Sequence, residues 1–429
     1  MLNWQRLIYR CAVVFLLPVA LLRLYWRSRP YPDARRRWQE RLGNVSLVRD
    51  KRTLVWIHAV SVGEVNAAQP LIDRLLESHS ELRVLVTTTT PTGASTLEAR
   101  YGDRVDHAYF PYDLNFCLKR FFNACRPSVI ILMETELWPN FLAVAAERKI
   151  PVLLVNGRMS EKALRRYQYF GDLIKLMLQQ IDVIAAQSGD DAARFELLGA
   201  PPERVVSTGS LKFDREINPS VFERGEALKR ELGVNRFVVM AGSTREGEEE
   251  LLVDTLLDLT KQIPNVLLVL APRHPERFDN VAELLKRRDV LFNRYQSRDR
   301  SDPQAVVYLL DVMGELTNYY AASDLAFVGG SLLPLGGQNT LEPAGLGIPI
   351  VVGPHTYNFK AINDKLAAAG ALSVAADTHE LANIIVQLSR DSNLRDQMGQ
   401  AARNVFAQNR GALAQVDAIL QNYLAATKQ

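Results

Sequence analysis

Short apolar runs recur along the chain from Thr53 onward, each followed by a turn and a stretch of helical periodicity. TLVWIH (53–58), LRVLVTT (82–88), PSVIILM (127–133), PVLLVN (151–156) and DVIAAQ (182–187) form a first series. The alternation breaks at LKFDREINPS (211–220). It restarts with RFVVMAG (236–242), NVLLVLAP (265–272), AVVYLLD (305–311), SDLAFVGG (323–330) and IPIVVG (348–353). Runs that are apolar at nearly every position are buried on both faces, which predicts parallel sheets covered by helices. The chain is expected to be α/β, with two sheets of about 200 residues each and a junction near 210–220. Residues 411–428 read as one amphipathic helix that closes the chain.

The first thirty residues have a different pattern. Cys11 to Leu22 is uncharged, and twelve helical residues cover roughly 18 Å, short of a ~30 Å bilayer core. Extended to Leu7–Trp26 the stretch reaches about 30 Å but takes in Arg10 and Arg23, near its ends, where long side chains snorkel. Trp4, Tyr25 and Trp26 flank it as an aromatic belt would. Arg23-Leu24-Tyr25-Trp26 is a poor cleavage site, which argues against a signal peptide. Membrane association is the expectation, with a buried core helix as the alternative. Spanning and lying in one leaflet both stay open. If the segment spans, the cluster Arg27 to Arg41 favours cytoplasmic placement of the rest of the chain.

Charge sharpens this picture. The 429-residue chain carries a net +3, yet residues 1–52 hold twelve Lys/Arg against three acids, a local +9 that leaves −6 for the rest. An anionic surface would be met at the N-terminus. A 48% hydrophobic and 23% charged composition excludes global disorder. Cys11, Cys117 and Cys125 form no CxxC pair and no even framework, so a disulfide-stapled secreted protein is not expected.

In open parallel sheets, ligands bind beyond the carboxyl ends of the strands, so chemistry is sought there. HAVSVGEV (58–65) comes after the first run. Its Glu64 opens the next helix, either as a dipole-stabilising carboxylate or as a general base. METELWPN (133–140) sets Glu134 and Glu136 at another strand end, as helix caps or as groups that orient a ligand. Lys212, in STGSLKFD (207–214), is a solvated lysine or an arm reaching a ligand. In the second half, Gly242, Ser243 and Thr244 open a helix whose amides could hold a phosphate. Arg273 and His274 lie between prolines after a strand, where the Arg fork suits a phosphate or carboxylate. No second His or Cys stands at ligand spacing from His274, so no metal site is read there. DVMGEL (311–316) places Gly314 and Glu315 at another strand end. In GGQNTLEP (336–343), Asn339 and Thr340 can cap a helix, and Glu342 could accept hydrogen bonds from ribose hydroxyls. No GxGxxG comes after the first strand and no Walker A sequence is present, which disfavours a nicotinamide dehydrogenase and a P-loop ATPase.

Taken together, the basic-apolar N-terminus, SVGE (61–64), TPTG (90–93), PYDL (111–114), METELWPN, GSLKFD (209–214), PRHPERF (272–278), MGEL (313–316) and GGQNTLEP resemble the 3-deoxy-D-manno-octulosonic acid (Kdo) transferases of Gram-negative bacteria. Each motif is short, but the match runs nearly end to end in order and spacing. The resemblance implies the GT-B fold: two Rossmann-like parallel-sheet domains facing a cleft, with a membrane-associated N-terminal helix. It implies a membrane segment at 1–30, an acceptor domain at 31–215, a CMP-Kdo-binding domain at 216–410 and a C-terminal helix at 411–429. The implied reaction is an inverting transfer of Kdo from CMP-Kdo to the lipid A precursor (lipid IVA), at the cytoplasmic face of the inner membrane. By motif, Glu64 would be the general base, and Glu134 and Lys212 would stabilise the transition state. CMP would meet Pro272, Arg273, Met313, Gly314, Glu315, Asn339, Thr340, Leu341 and Glu342. Domain closure would bring Glu64 to the donor. The expected partners are CMP-Kdo, lipid IVA and an anionic membrane surface; no nucleic acid, cofactor or metal is expected. The rivals are a GT-B transferase using a UDP-sugar and a non-catalytic nucleotide-sugar binder at the membrane.

Overall fold

The computed structural model describes residues 4–426, apart from 48, 49, 80, 215 and 301. The chain divides into two units, residues 1–215 with 410–429, and residues 216–409.

Among the described residues the first unit holds seven strands: β1 (Thr53–His58), β2 (Leu82–Thr88), β3 (Asp106–Tyr109), β4 (Val129–Met133), β5 (Val152–Gly157), β6 (Val183–Ala186) and β7 (Val205–Ser207). All pair in parallel in the order β3-β2-β1-β4-β5-β6-β7, with β1 set by Thr53 opposite Leu82 and Val55 opposite Val129. Successive side chains of a strand point to opposite faces. Accordingly Leu54 and Trp56 enter one core with Phe121, Phe122 and Phe141, while Val55 and Ile57 enter the other. The helix Val62–Ser78 covers that second face through Val65, Ala68, Leu71, Ile72 and Leu75, a spacing that keeps one stripe inward. The C-terminal helix Ala412–Ala426 joins the same face through Val416, Leu420 and Leu424. Asp214 fastens its start, accepting hydrogen bonds from Gly411 N (2.6 Å) and Leu413 N (2.8 Å). The closing helix thus belongs with the first unit.

The second unit repeats the plan with β8 (Phe237–Thr244), β9 (Val266–Pro272), β10 (Phe292–Arg294), β11 (Val307–Leu309), β12 (Leu325–Val328), β13 (Ile350–Val352) and β14 (Leu372–Val374). These are also parallel, in the order β10-β11-β9-β8-β12-β13-β14. Val239 and Ala241 face one core, Val238 and Met240 the other.

Strand order reverses direction beside β1 in the first sheet, between β1 and β4, and beside β8 in the second, between β8 and β12. A crevice forms at such switch points beyond the carboxyl ends of the strands. Two expectations change. The segment 242–244 is the end of β8 rather than the start of a helix, which begins at Glu248 behind Gly247 at φ +88°. Thr340 does not cap the helix Leu341–Leu346: its hydroxyl bonds Asn363 Oδ1 at 2.6 Å, and Asn339 Oδ1 accepts from Leu341 N instead.

Candidate functional site

Glu64 stands in the first turn of Val62–Ser78, just past the end of β1, and is only 8% exposed. Its carboxylate turns back over the turn that precedes the helix. Oε2 accepts from Val60 N at 2.8 Å, and Oε1 accepts from Ser61 Oγ at 3.3 Å. Val60 is held in turn by the TPTG loop, because its carbonyl accepts from Thr89 N, Thr90 N and Thr90 Oγ1. Gly93 allows that approach: a Cβ there would lie 2.9 Å from Thr90 Oγ1 and 3.4 Å from the Ser61 carbonyl carbon. The carboxyl is pushed up to about 8, by burial first and then by the charges of Glu136 and Glu134.

Glu134 and Glu136 come after β4, across the switch point from Glu64. The helix beyond them starts only at Pro139, so neither caps it. Glu134 takes φ +57° and sends Oε1 to within 3.1 Å of Lys212 Nζ. Glu136 Oε2 accepts from Trp138 Nε1 at 2.9 Å, and burial raises its carboxyl to about 7. Lys212 is half-buried rather than a solvated surface lysine. It sits on the single turn Leu211–Asp214, after β7.

Asn156, at the end of β5 with φ +58°, sets that turn. Its Oδ1 accepts from Ser210 Oγ (3.1 Å) and Leu211 N (3.2 Å). A polar residue closing the apolar run PVLLVN was the available signal for it. PYDL has a similar supporting part. Asp113 accepts from Asn140 N (3.0 Å) and Phe141 N (2.7 Å), which ties down the far end of METELWPN. His58, wholly buried and stacked on Phe110 at 3.8 Å, is held neutral by burial, its pKa lowered to about 3. The first unit therefore gathers Glu64, Glu134, Glu136 and Lys212 at the carboxyl ends of adjacent parallel strands and the turn after β7.

In the second unit, the residues singled out from sequence come after β9, β11 and β12, which lie close together in the sheet beside β8. Pro272 ends β9, and Arg273 N donates to Thr244 O of β8 at 3.0 Å. Arg273 and Arg245 both press on His274, whose pKa is lowered by burial and by these cations. Met313 is exposed, Gly314 takes φ +93°, and Glu315 accepts from Asn318 Nδ2 at 3.0 Å. Asn339 Nδ2 donates to Glu342 Oε1 at 3.2 Å, in the first turn of Leu341–Leu346, where Leu341 is buried. Tyr320, raised by burial and by the Glu342 charge, lies against Gly242, where a Cβ would come within 2.0 Å of its hydroxyl oxygen.

Glu248 binds the loops of this switch point together, a part that sequence reasoning missed. It is fully buried. Its carboxylate accepts from Arg245 N (3.0 Å) and Gly330 N (2.5 Å) on Oε2, and from Ser331 N and Leu332 N (both 2.9 Å) on Oε1. The amide of Arg245, next to the segment 242–244, is thus taken by this side chain. Three consecutive glutamates, 248–250, opening an apolar helix were the available hint.

Comparison with known proteins identifies the family. A family model described as 3-deoxy-D-manno-octulosonic-acid transferase (kdotransferase) matches residues 36–215. The 3-deoxy-D-manno-octulosonic acid transferase of Haemophilus influenzae is 37% identical over 423 residues, 98% of this chain and 99% of that protein. The enzyme of the same name from Bordetella pertussis is 38% identical, covering 86% of this chain and 87% of its own. Among solved structures, Anabaena Alr3699/HepE in complex with UDP aligns with a TM-score of 0.57 at 17% identity, over 87% of this chain and all of that one. UDP-GlcNAc 2-epimerase from Neisseria meningitidis aligns with the same TM-score at 16% identity, over 86% of this chain and all of that one. These two show the fold alone, which is GT-B-like. The chain belongs to the 3-deoxy-D-manno-octulosonic acid transferases, glycosyltransferases that transfer Kdo in lipopolysaccharide synthesis.

Proposed function

We propose that this protein transfers Kdo from CMP-Kdo to a hydroxyl of lipid IVA at the cytoplasmic face of the inner membrane, with Glu64 as general base. The observation that carries this reading is Glu64 itself: buried beyond β1, oriented by Val60 N and Ser61 Oγ, and raised to about 8. A base with its pKa near the working pH gives the best compromise between ionised fraction and proton affinity, and such catalysis contributes ~10²–10⁴-fold.

In the proposed step the acceptor oxygen attacks the anomeric carbon of Kdo, and its proton passes to a Glu64 oxygen. The bond from that carbon to the CMP phosphate oxygen breaks, and CMP leaves with the electron pair. A single displacement of this kind inverts the anomeric centre. The first unit supplies the base and takes the acceptor. The Lys212 ammonium, held by Glu134, offers positive charge where anionic character develops. The second unit holds the donor. Arg273, joined by Arg245, meets the phosphate; Met313, Gly314 and Glu315 border the nucleotide; Asn339, Thr340, Leu341 and Glu342 receive the ribose. Side-chain cations stabilise the leaving group, with no divalent ion required.

Donor competition tests the nucleotide assignment. CMP should displace a fluorescent CMP analogue from the purified protein, and UDP at the same concentration should not. Displacement by UDP alone would favour a UDP-sugar transferase.

A further inference from the structure

The helix Trp4–Arg27 has 24 residues, about 36 Å at ~1.5 Å per residue, and is apolar enough to cross a membrane. Its two faces differ sharply. Gln5, Tyr9, Val13, Leu17, Ala20 and Leu24 recur every three or four residues and are half-buried against the first unit. Ile8, Phe15, Val19, Leu22 and Trp26, on the other side, are exposed. The contacts run the length of the helix. Leu173 N donates to Gln5 Oε1 at 3.0 Å, Tyr9 Oη to Asp113 Oδ2 at 2.9 Å, and Arg10 Nε to Asn140 Oδ1 at 3.0 Å. Tyr112 Oη donates to Ala20 O at 3.4 Å, and the Arg35 guanidinium lies 4.1 Å from the Tyr25 ring centroid.

A helix crossing the bilayer must be clear of water-soluble structure through ~30 Å of hydrocarbon, where unpaired polar groups are costly. This helix instead turns Gln5, Tyr9 and Arg10, in its first two turns, onto the first unit. To span, it would have to give up its bonds to Asp113 and Asn140 or draw that surface into hydrocarbon.

We propose that this segment is an in-plane interfacial helix. Its inner face stays on the first unit, its outer face enters the acyl layer of one leaflet, and both ends remain on the side of the catalytic units. The occupant of the exposed face is argued from charge. Arg23, Arg29, Arg35 and Arg36 are exposed near the C-terminal end of the apolar stripe, where anionic head groups would meet them. There Arg29 and Arg35 share a cavity of about 640 Å³ with the apolar walls of Leu21 and Leu24, a mixture suited to the boundary between head groups and acyl chains. The inference rests on the proposed membrane association and deepens it. Asp113 is also the residue that holds Asn140 and Phe141, so membrane attachment and the METELWPN segment share one carboxylate.

The test is sidedness in the full-length protein. A single cysteine is placed on a short extension before Met1, or introduced as Lys162→Cys, each in a Cys11→Ala background; Cys117 and Cys125 are buried. Inner-membrane vesicles of both orientations are treated with a membrane-impermeant maleimide. The in-plane helix predicts that the two cysteines label in the same vesicle orientation, with at least a tenfold preference over the other. Labelling of the N-terminal cysteine from the face opposite Lys162→Cys would overturn it. Recovery of the unmodified protein in the soluble fraction after detergent-free lysis would overturn membrane association itself, a separate result.

Discussion

Lys212 Nζ lies 3.1 Å from Glu134 Oε1 and joins two residues 78 positions apart. Each side chain keeps about a quarter of its surface exposed, 23% and 26%, and ion pairs of that exposure contribute ~0–1 kcal/mol to folding. Glu134 also takes a left-handed backbone conformation, which costs stability. Holding charge in place is therefore the better explanation of the pair than holding the fold together. Lys212→Met and Glu134→Gln should each lower kcat by about 10²-fold or more with the melting temperature little changed, and the double variant should fall well short of the product of the two. Independent, multiplicative losses would separate the two residues functionally.

The carboxyl of Glu64 stands at about 8, so it is mostly protonated at pH 7. With Glu64 as base, kcat/KM should rise about tenfold per pH unit below 8 and level off above it. Glu136→Gln removes a neighbouring negative charge that contributes to this shift, so the midpoint should move to lower pH. An unmoved midpoint would assign the limb to another group. The stability consequence has a definite sign. A carboxyl raised from 4.5 to about 8 in the folded state favours folding below pH 4.5, and that contribution is lost as pH climbs through 8. Glu64→Gln should therefore melt above the wild type at pH 8–9 and with it below pH 4.5, while losing activity.

Asn156→Ala removes the acceptor for Ser210 Oγ and Leu211 N and places alanine at φ +58°. An orphaned buried donor costs about 1–3 kcal/mol. Because the turn it releases carries Lys212, kcat should drop while the affinity for CMP, assigned to the other unit, is kept. Weaker CMP binding would argue that the substitution disturbs far more than the turn.

Glu248→Ala leaves the four amides of residues 245, 330, 331 and 332 without their carboxylate. A buried amide left without its acceptor costs about 1–3 kcal/mol. Thermal unfolding should show the loss directly, accompanied by weaker CMP binding because Arg245 and the 329–342 loop lose their tie. A melting curve like that of the wild type would contradict the clamp.

Leaving-group stabilisation is assigned to side chains in the proposed step. With purified donor and acceptor, a chelator in excess should leave the transfer rate within twofold of the untreated enzyme. Loss of activity restored by one divalent cation would require a metal in the step.

The ten strands legible in the sequence are the interior strands of the two sheets; β1 and β2 match residue for residue. The four that escaped, β3 (DHAY), β7 (VVS), β10 (FNR) and β14 (LSV), are the four sheet edges. An edge strand pairs on one side only and needs neither the length nor the continuous apolar character that betrays a central strand. Residues singled out at strand ends were legible because apolar runs point to where such ends lie. Asn156 and Glu248 were harder because their meaning is in their partners: Glu248 binds amides 82 to 84 positions away. The orientation of the N-terminal helix was hidden for the same reason. Composition shows an apolar stretch, but only the fold brings Asp113 and Asn140 to one face of it.

The most direct test of the central claim is a transfer assay: purified protein, CMP-Kdo generated in situ and lipid IVA, read by mass spectrometry beside Glu64→Ala. With Glu64 as base, the wild type should give a product heavier by one or more Kdo units, and the variant none. Equal product from both would remove Glu64 from its role, and no product from either, with CMP still bound, would contradict the acceptor assignment.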